Sequence, residues 1–223
     1  DVLQGKVDFP YGAERPLKYF EEYMKKGCYP FFQEPEFETR MRQVINTTVD
    51  VDIPKYARMT IAATQKLKKF MYYISKSVPV KINFSDMARD LELRRDELPK
   101  YLEYLEKAEL VFVLRMKANG DAIHRKMDKL YLQNSNMSYV LSGENPDTGN
   151  ARETIFYCWS KQKYDTVESP VSDFEIDGKT FDVGGRNKGK KQISNLEDAY
   201  VVKDTIEYVF DNQVPLWMFG FLY

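Results

Sequence analysis

Apolar side chains recur every three or four residues through most of the first 110 positions, and that period predicts helices. Leu17, Phe20, Tyr23 and Met24 predict a short helix over residues 17–26, closed by Gly27. Phe37, Met41, Val44 and Ile45 predict a second from Glu36 to about Asp50, with Ile53-Pro54 breaking it or starting the next turn. Ile61, Thr64, Leu67, Phe70, Met71 and Ile74 form the stripe of a longer helix over residues 60–77. After Val78-Pro79 the pattern tightens. A strand-like stretch at 80–84 leads to Ser85, a candidate N-cap for a helix reaching Asp90 or Leu91, and a turn follows. The next helix, from about Asp96 to Ala108, turns Leu98, Tyr101, Leu102 and Leu105 inward. A strand at 110–116, a polar loop at 117–127 and a returning strand at 129–132 complete the order of a winged helix-turn-helix.

Beyond residue 133 the period changes. Residues 149–159 read as a helix with Ile155, Phe156 and Trp159 inward, followed by a hairpin, a short strand at 199–202 and an apolar terminal strand at 214–219. The expected class is therefore α+β: a helical N-terminal segment over residues 1–58, a winged helix over 59–133, and a small α/β domain over 134–223.

The hairpin carries the most chemistry. Asp177-Gly178 favours a two-residue type I′ turn, which pairs Ile176 with Lys179 and sets Asp173 opposite Asp182. Facing like charges repel at the roughly 5 Å separating cross-strand Cβ atoms, so the pair calls for a cation, a proton or water. Phe174, Ile176, Phe181 and Val183 share one face; Asp173, Glu175, Thr180 and Asp182 share the other. Glu153, on the preceding helix, can add a third carboxylate, and such a cluster can hold Mg²⁺ or Mn²⁺ and activate water, with Asp173 and Asp182 as the metal ligands. The plainer expectation is an amphipathic hairpin whose acidic side meets solvent. The exit loop nearly matches a phosphate-binding loop through Gly184, Gly189 and Lys190, but Lys191 stands where Ser or Thr should hold Mg²⁺. Gly178-Lys179-Thr180 has that motif's tail without its first glycine.

With 43% hydrophobic and 30% charged residues the chain can form a core, and its net charge of −1 excludes a global field drawing it onto nucleic acid. Local basic patches would have to serve: Arg94, Arg95 and Lys100 near the start of the recognition helix, Arg125 and Lys126 in the wing, Arg186, Lys188 and Lys190 in the exit loop. Asp96, Glu97, Glu103 and Glu106 dilute the first patch, so DNA and a protein partner remain alternative ligands of the winged helix. His124 is the only histidine, which disfavours a zinc site. Cys28 and Cys158 belong to no metal or redox motif and read as reduced thiols of a cytoplasmic protein. No apolar run reaches the roughly 18 residues of a membrane span, and a chain beginning at Asp1 reads as part of a longer one.

Taken in order, Phe20-x-x-Tyr23-x-x-x-Gly27-x-x-Pro30, the segment from Phe84 to Leu91, Tyr101-Leu102-x-x-Leu105, Lys129-Leu-Tyr-Leu132, Gly149-x-x-x-Glu153, Ser172-Asp173-Phe174 and the run from Phe181 to Gly189 resemble a known arrangement. It is the C-terminal domain of unknown function that follows the ATPase module in bacterial and archaeal AAA-type ATPases, especially a Bacteroidetes-like branch. The resemblance spans the chain from about Leu17 and implies an upstream ATPase domain that would bind ATP, which this chain, lacking a complete Walker loop, would not. It also implies a PD-(D/E)xK nuclease-like last portion, restriction-endonuclease-like in fold, with catalytic roles falling on Glu153, Asp173 and Asp182. The lysine expected two residues after Asp182 is Gly184, so Arg186 or Lys188 would have to swing in, or catalysis is lost. The expected function is an accessory module of an ATPase that binds DNA or a protein partner on a degenerate nuclease-like fold. The alternatives are an active Mg²⁺/Mn²⁺-dependent DNA nuclease and a structural or oligomerising domain.

Overall fold

Thr60 caps the longest helix: its hydroxyl accepts the Ala63 N–H at 3.2 Å, and α4 (Ile61–Ser77) then buries Leu67, Phe70, Met71 and Ile74 along one stripe. In the computed structural model, which describes residues 2–7, 15–116, 127–142 and 147–222, this helix is the spine of a mixed α/β fold. Ahead of it come α1 (Pro16–Glu22), α2 (Phe37–Thr47) and α3 (Ile53–Ala57). Both α1 and α2 continue into π-helical turns, Tyr23–Gly27 and Thr48–Asp52. The helical path therefore runs through Pro54, which lies in the first turn of α3, where its missing N–H is tolerated. Gly27 is required by packing, since a Cβ there would lie 2.4 Å from the Tyr23 ring.

After α4 follow β1 (Val80–Lys81), α5 (Phe84–Leu91), α6 (Leu98–Lys107), β2 (Val111–Arg115) and β3 (Met127–Leu132). The three strands form an antiparallel sheet in the order β1-β3-β2. The cap of α5 is Asn83 rather than the expected Ser85. The Asn83 side chain accepts the N–H groups of Ser85 and Asp86, and this ends β1 early. The loop between β2 and β3, with His124, Arg125 and Lys126, lies outside the described residues.

Next come α7 (Ser135–Ser142), which the sequence pattern did not anticipate, and α8 (Thr148–Ser160), capped by Asp147. The remaining strands are β4 (Val167–Glu168), β5 (Phe174–Ile176), β6 (Lys179–Gly184), β7 (Ala199–Lys203) and β8 (Gln213–Pro215). They lie in sequence order, antiparallel from β4 to β6 and parallel from β6 to β8. The expected terminal strand is a short β8 followed by a 3₁₀ turn, Leu216–Phe221. Leu216, Trp217, Met218 and Phe219 are all buried, and four consecutive buried side chains suit a tight helical turn wedged against α8 better than an edge strand.

One hydrophobic core gathers α2 to α6, parts of β2 and β3, and Met137 and Val140 of α7. The second gathers α8, the five-stranded sheet and the 3₁₀ turn, and takes in Val2, Phe20 and Met24 from the N-terminal segment and Leu114 and Tyr131 from the small sheet. Polar contacts seal the junction. Tyr157 donates its hydroxyl to Val113 O at 2.8 Å, Asn150 donates to Val78 O at 3.1 Å, and Met116 pairs with Glu168 as an isolated parallel bridge. Asn136, fully buried on α7, donates to Tyr23 O and Met24 O at 2.8 and 2.9 Å and accepts the Cys28 N–H at 2.7 Å. It satisfies the backbone groups left open at the end of the first π turn. Asn136→Ala should therefore cost about 2–4 kcal/mol in a urea unfolding titration, because it leaves buried backbone groups unpaired.

Candidate functional site

Asp177 and Gly178 both adopt positive φ, 50° and 80°, as the expected turn demands. Ile176 pairs with Lys179 and Phe174 with Phe181, so the register is the anticipated one and Asp173 falls beside Asp182. On the apolar face Phe156 of α8 packs against Phe174 and Phe181 with centroids 4.9 and 5.5 Å apart. Only part of the acidic face meets solvent: Thr180 and Asp182 are buried, Asp173 and Glu175 half-buried. β6 has a strand on either side, and the chain between β6 and β7 folds back so that Ile193 joins Ala199 and Val201 in a small third core. Asp182, in register with Val201, has 0% of its surface exposed.

Asp182 Oδ1 accepts the Ser172 hydroxyl at 2.7 Å and lies 2.8 Å from the Lys188 ammonium, whereas its buried Oδ2 has no hydrogen-bond partner. Lys188 also reaches Asp173 at 3.8 Å, and Asp173 Oδ2 accepts the Val183 N–H at 2.8 Å. Glu153 Oε2 accepts the Tyr131 hydroxyl at 3.0 Å and lies 3.9 Å from Lys129. Burial, reinforced by the Asp173 charge, pushes the Glu153 carboxyl above its ordinary range. Burial likewise raises Asp173, against the pull of the Val183 N–H and Lys188. For Lys188 burial acts to lower the pKa, but Asp182 and Asp173 outweigh it and the net shift is upward. Lys188 thus stays an ammonium at neutral pH, which suits charge compensation and rules it out as a general base.

Glycine at 184 makes this arrangement possible. A Cβ at Gly184 would fall 2.6 Å from Lys188 Cγ, so the aliphatic stem of the loop lysine crosses the place where a strand side chain would stand. One residue on, a Cβ at Gly185 would sit 3.1 Å from the Arg152 guanidinium, which is held by Asp204.

Glu153, Asp173 and Asp182 are brought into one electrostatic neighbourhood, with Lys188 and Lys129 as the cations facing them. They do not make a metal cage. Among the described residues no group of three or more His, Cys, Asp and Glu side chains could hold an ion. The donor set as arranged does not fit Mg²⁺ or Mn²⁺, since an ammonium already bridges Asp173 and Asp182. The basic candidates are dispersed. Arg94 is paired with Asp96, Lys100 lies 5.8 Å over the Tyr104 ring, Lys190 is paired with Asp211, and Arg95 and Arg186 are exposed. Glu168 is a carboxylate the sequence reading missed. It is 8% exposed on β4, 3.7 Å from Lys81, with Oε2 unpartnered. No periodicity marks a two-residue strand, so nothing local signals it. Cys158 is buried and Cys28 half-buried, both free, with burial raising their thiols to about 11 and about 12.

Residues 17–148 match a family described as a domain of unknown function, DUF8612. No curated protein and no solved structure matches the chain. Glu153, Asp173, Asp182 and Lys188 all lie beyond the matched stretch.

Two stability measurements test the centre. Lys188→Met should destabilise the fold by about 3–5 kcal/mol through the buried charge it leaves, and adding Asp182→Asn should recover much of that loss. Gly184→Ala should shift stability in the same direction, by displacing the lysine stem. The raised Glu153 carboxyl means the folded state holds that proton more tightly than the unfolded chain. Its contribution is complete below the unfolded value and is lost as pH rises through the folded one. Glu153→Gln should therefore be more stable than wild type at about pH 7 and indistinguishable from it at about pH 3, read from denaturation curves.

Proposed function

This chain belongs to the DUF8612 family, and we propose that it is a nucleic-acid-binding accessory module of an AAA-type ATPase whose nuclease-like centre does not hydrolyse. The order α4-β1-α5-α6-β2-β3 with sheet order β1-β3-β2 supports the winged-helix reading. Helix α8 followed by β5, β6 and β7, with Glu153, Asp173 and Asp182 gathered at one place, supports the nuclease-like reading of the C-terminal unit. The observation that carries the non-hydrolysing assignment is the Lys188 ammonium 2.8 Å from Asp182. It supplies within the chain the positive charge that a metal would otherwise bring, and as a protonated group it offers no base to activate water. The module would then hold nucleic acid and report its presence to the ATPase.

A second reading, an active Mg²⁺- or Mn²⁺-dependent nuclease, is favoured by one feature, the buried and unpartnered Asp182 Oδ2. Labelled DNA incubated with Mn²⁺ separates the two. We expect wild type and Asp173→Ala to leave the DNA equally intact. Cleavage by wild type that Asp173→Ala abolishes would establish the nuclease instead. Binding is tested by titration at two salt concentrations, with affinity falling steeply as salt rises; no binding at low salt would sink the proposal.

A further inference from the structure

Between β7 and β8 the chain presents two aromatic rings to solvent. Tyr208 is 76% and Phe210 74% exposed, while Val209 between them packs against the second core. The segment is held firmly. Phe210 and Gln213 exchange backbone hydrogen bonds at 3.0 and 2.9 Å around a tight turn, Asp211 takes a positive φ of 54°, and Asn212 binds β7 through Val201 N and Ala199 O. Two rings exposed to water on an anchored segment offer faces on which planar bases can stack.

Beside the rings lies the exit loop of β6. Between Gly184 and β7 it contains Arg186, Lys188, Lys190 and Lys191, with Glu197 and Asp198 at its far end. Lys190 is paired with Asp211 at the tip of the aromatic turn, which fixes loop and rings side by side. Lys188 is engaged inward by Asp182, leaving Arg186 and Lys191 exposed. Glu207, next to Tyr208, and Asp211, next to Phe210, are the carboxylates that flank the rings. Stacking rings beside a basic track are the two elements by which single strands are held without sequence readout.

We infer that Tyr208 and Phe210, with Arg186, Lys190 and Lys191, form a docking surface for single-stranded nucleic acid. The inference rests on the proposal that the chain binds nucleic acid, and it names the form bound and the residues that hold it. The test is fluorescence anisotropy of the full chain with a labelled thymidine oligonucleotide of about 12 nucleotides and with a duplex of the same length. Replacing both rings, Tyr208→Ala with Phe210→Ala, should weaken single-strand binding about 10- to 100-fold and leave the melting temperature unchanged. Arg186→Ala with Lys191→Ala should lower the slope of log affinity against log salt by about 1.4. Equal single-strand affinity in wild type and the ring variant would overturn the inference. So would no single-strand binding by wild type at low salt, or loss in the ring variant of a wild-type dimer seen by sedimentation, which would make a second copy the occupant. Duplex binding without single-strand binding would remove this surface and keep the proposed function; single-strand binding alone would keep the surface and remove the winged helix from that function.

Discussion

A carboxylate with no exposed surface sits on a strand that has neighbours on both sides, and much of the C-terminal unit is arranged to compensate it. An uncompensated buried charge costs several kcal/mol, more than most single contacts supply. Asp182 receives the Ser172 hydroxyl and the Lys188 ammonium at the same oxygen, Oδ1. That requirement makes the exit loop turn back over the sheet instead of extending into water. It also demands glycine at 184, because the lysine stem occupies the space a side chain would need. The loop's return brings Ile193 onto Ala199 and Val201, so one electrostatic demand also closes the apolar cover of the sheet.

The same logic of charges settled at an internal boundary joins the two sheets. Lys129 and Lys81 come from the small sheet, Glu153 and Glu168 from the larger unit, and Tyr131 lies among them, buried, donating to Glu153. Around this polar seam Leu114 and Tyr131 enter the second core, and Tyr157 and Asn150 reach back to Val113 and Val78. The helices of the first half and the sheet of the second are therefore coupled by hydrogen bonds and packing together. A ligand that altered the charge of the carboxylate–lysine centre would act on groups one contact away from that seam.

Much of the fold was legible where a strong local signal existed. Helix α4 could be read from its apolar stripe, and the hairpin from Asp177-Gly178, whose positive φ values dictate its register. The ordering of α5, α6, β2 and β3 followed from period changes. Signals failed where tertiary contacts outbid local preference. Asn83 capped α5 in place of Ser85; α7 carries only the short stripe Met137, Val140 and Leu141 among the buried polar residues Ser135, Asn136 and Ser138; and the apolar run after β8 turned into a 3₁₀ helix, with Leu216 to Phe219 all covered. Of the site, the convergence of Glu153, Asp173 and Asp182 could be anticipated from one helix and one turn.

By itself the sequence determined which residues are chemically equipped: the carboxylates on β6 and beside it, and the lysine-rich loop that follows. Those are consequences of short-range covalent geometry, of the two-residue period of a strand and of the dihedral demands of a tight turn. Only the tertiary structure decided that Asp182 is buried and that Lys188, of the four basic residues in the loop, is the one that reaches it. Burial depends on what chain from far along the sequence covers a face, and in the parallel register of β7 against β6 that cover arrives from residues 185–198. A local pattern cannot carry that information, because the same alternation of polar and apolar side chains fits a sheet open to water and one closed by a lysine.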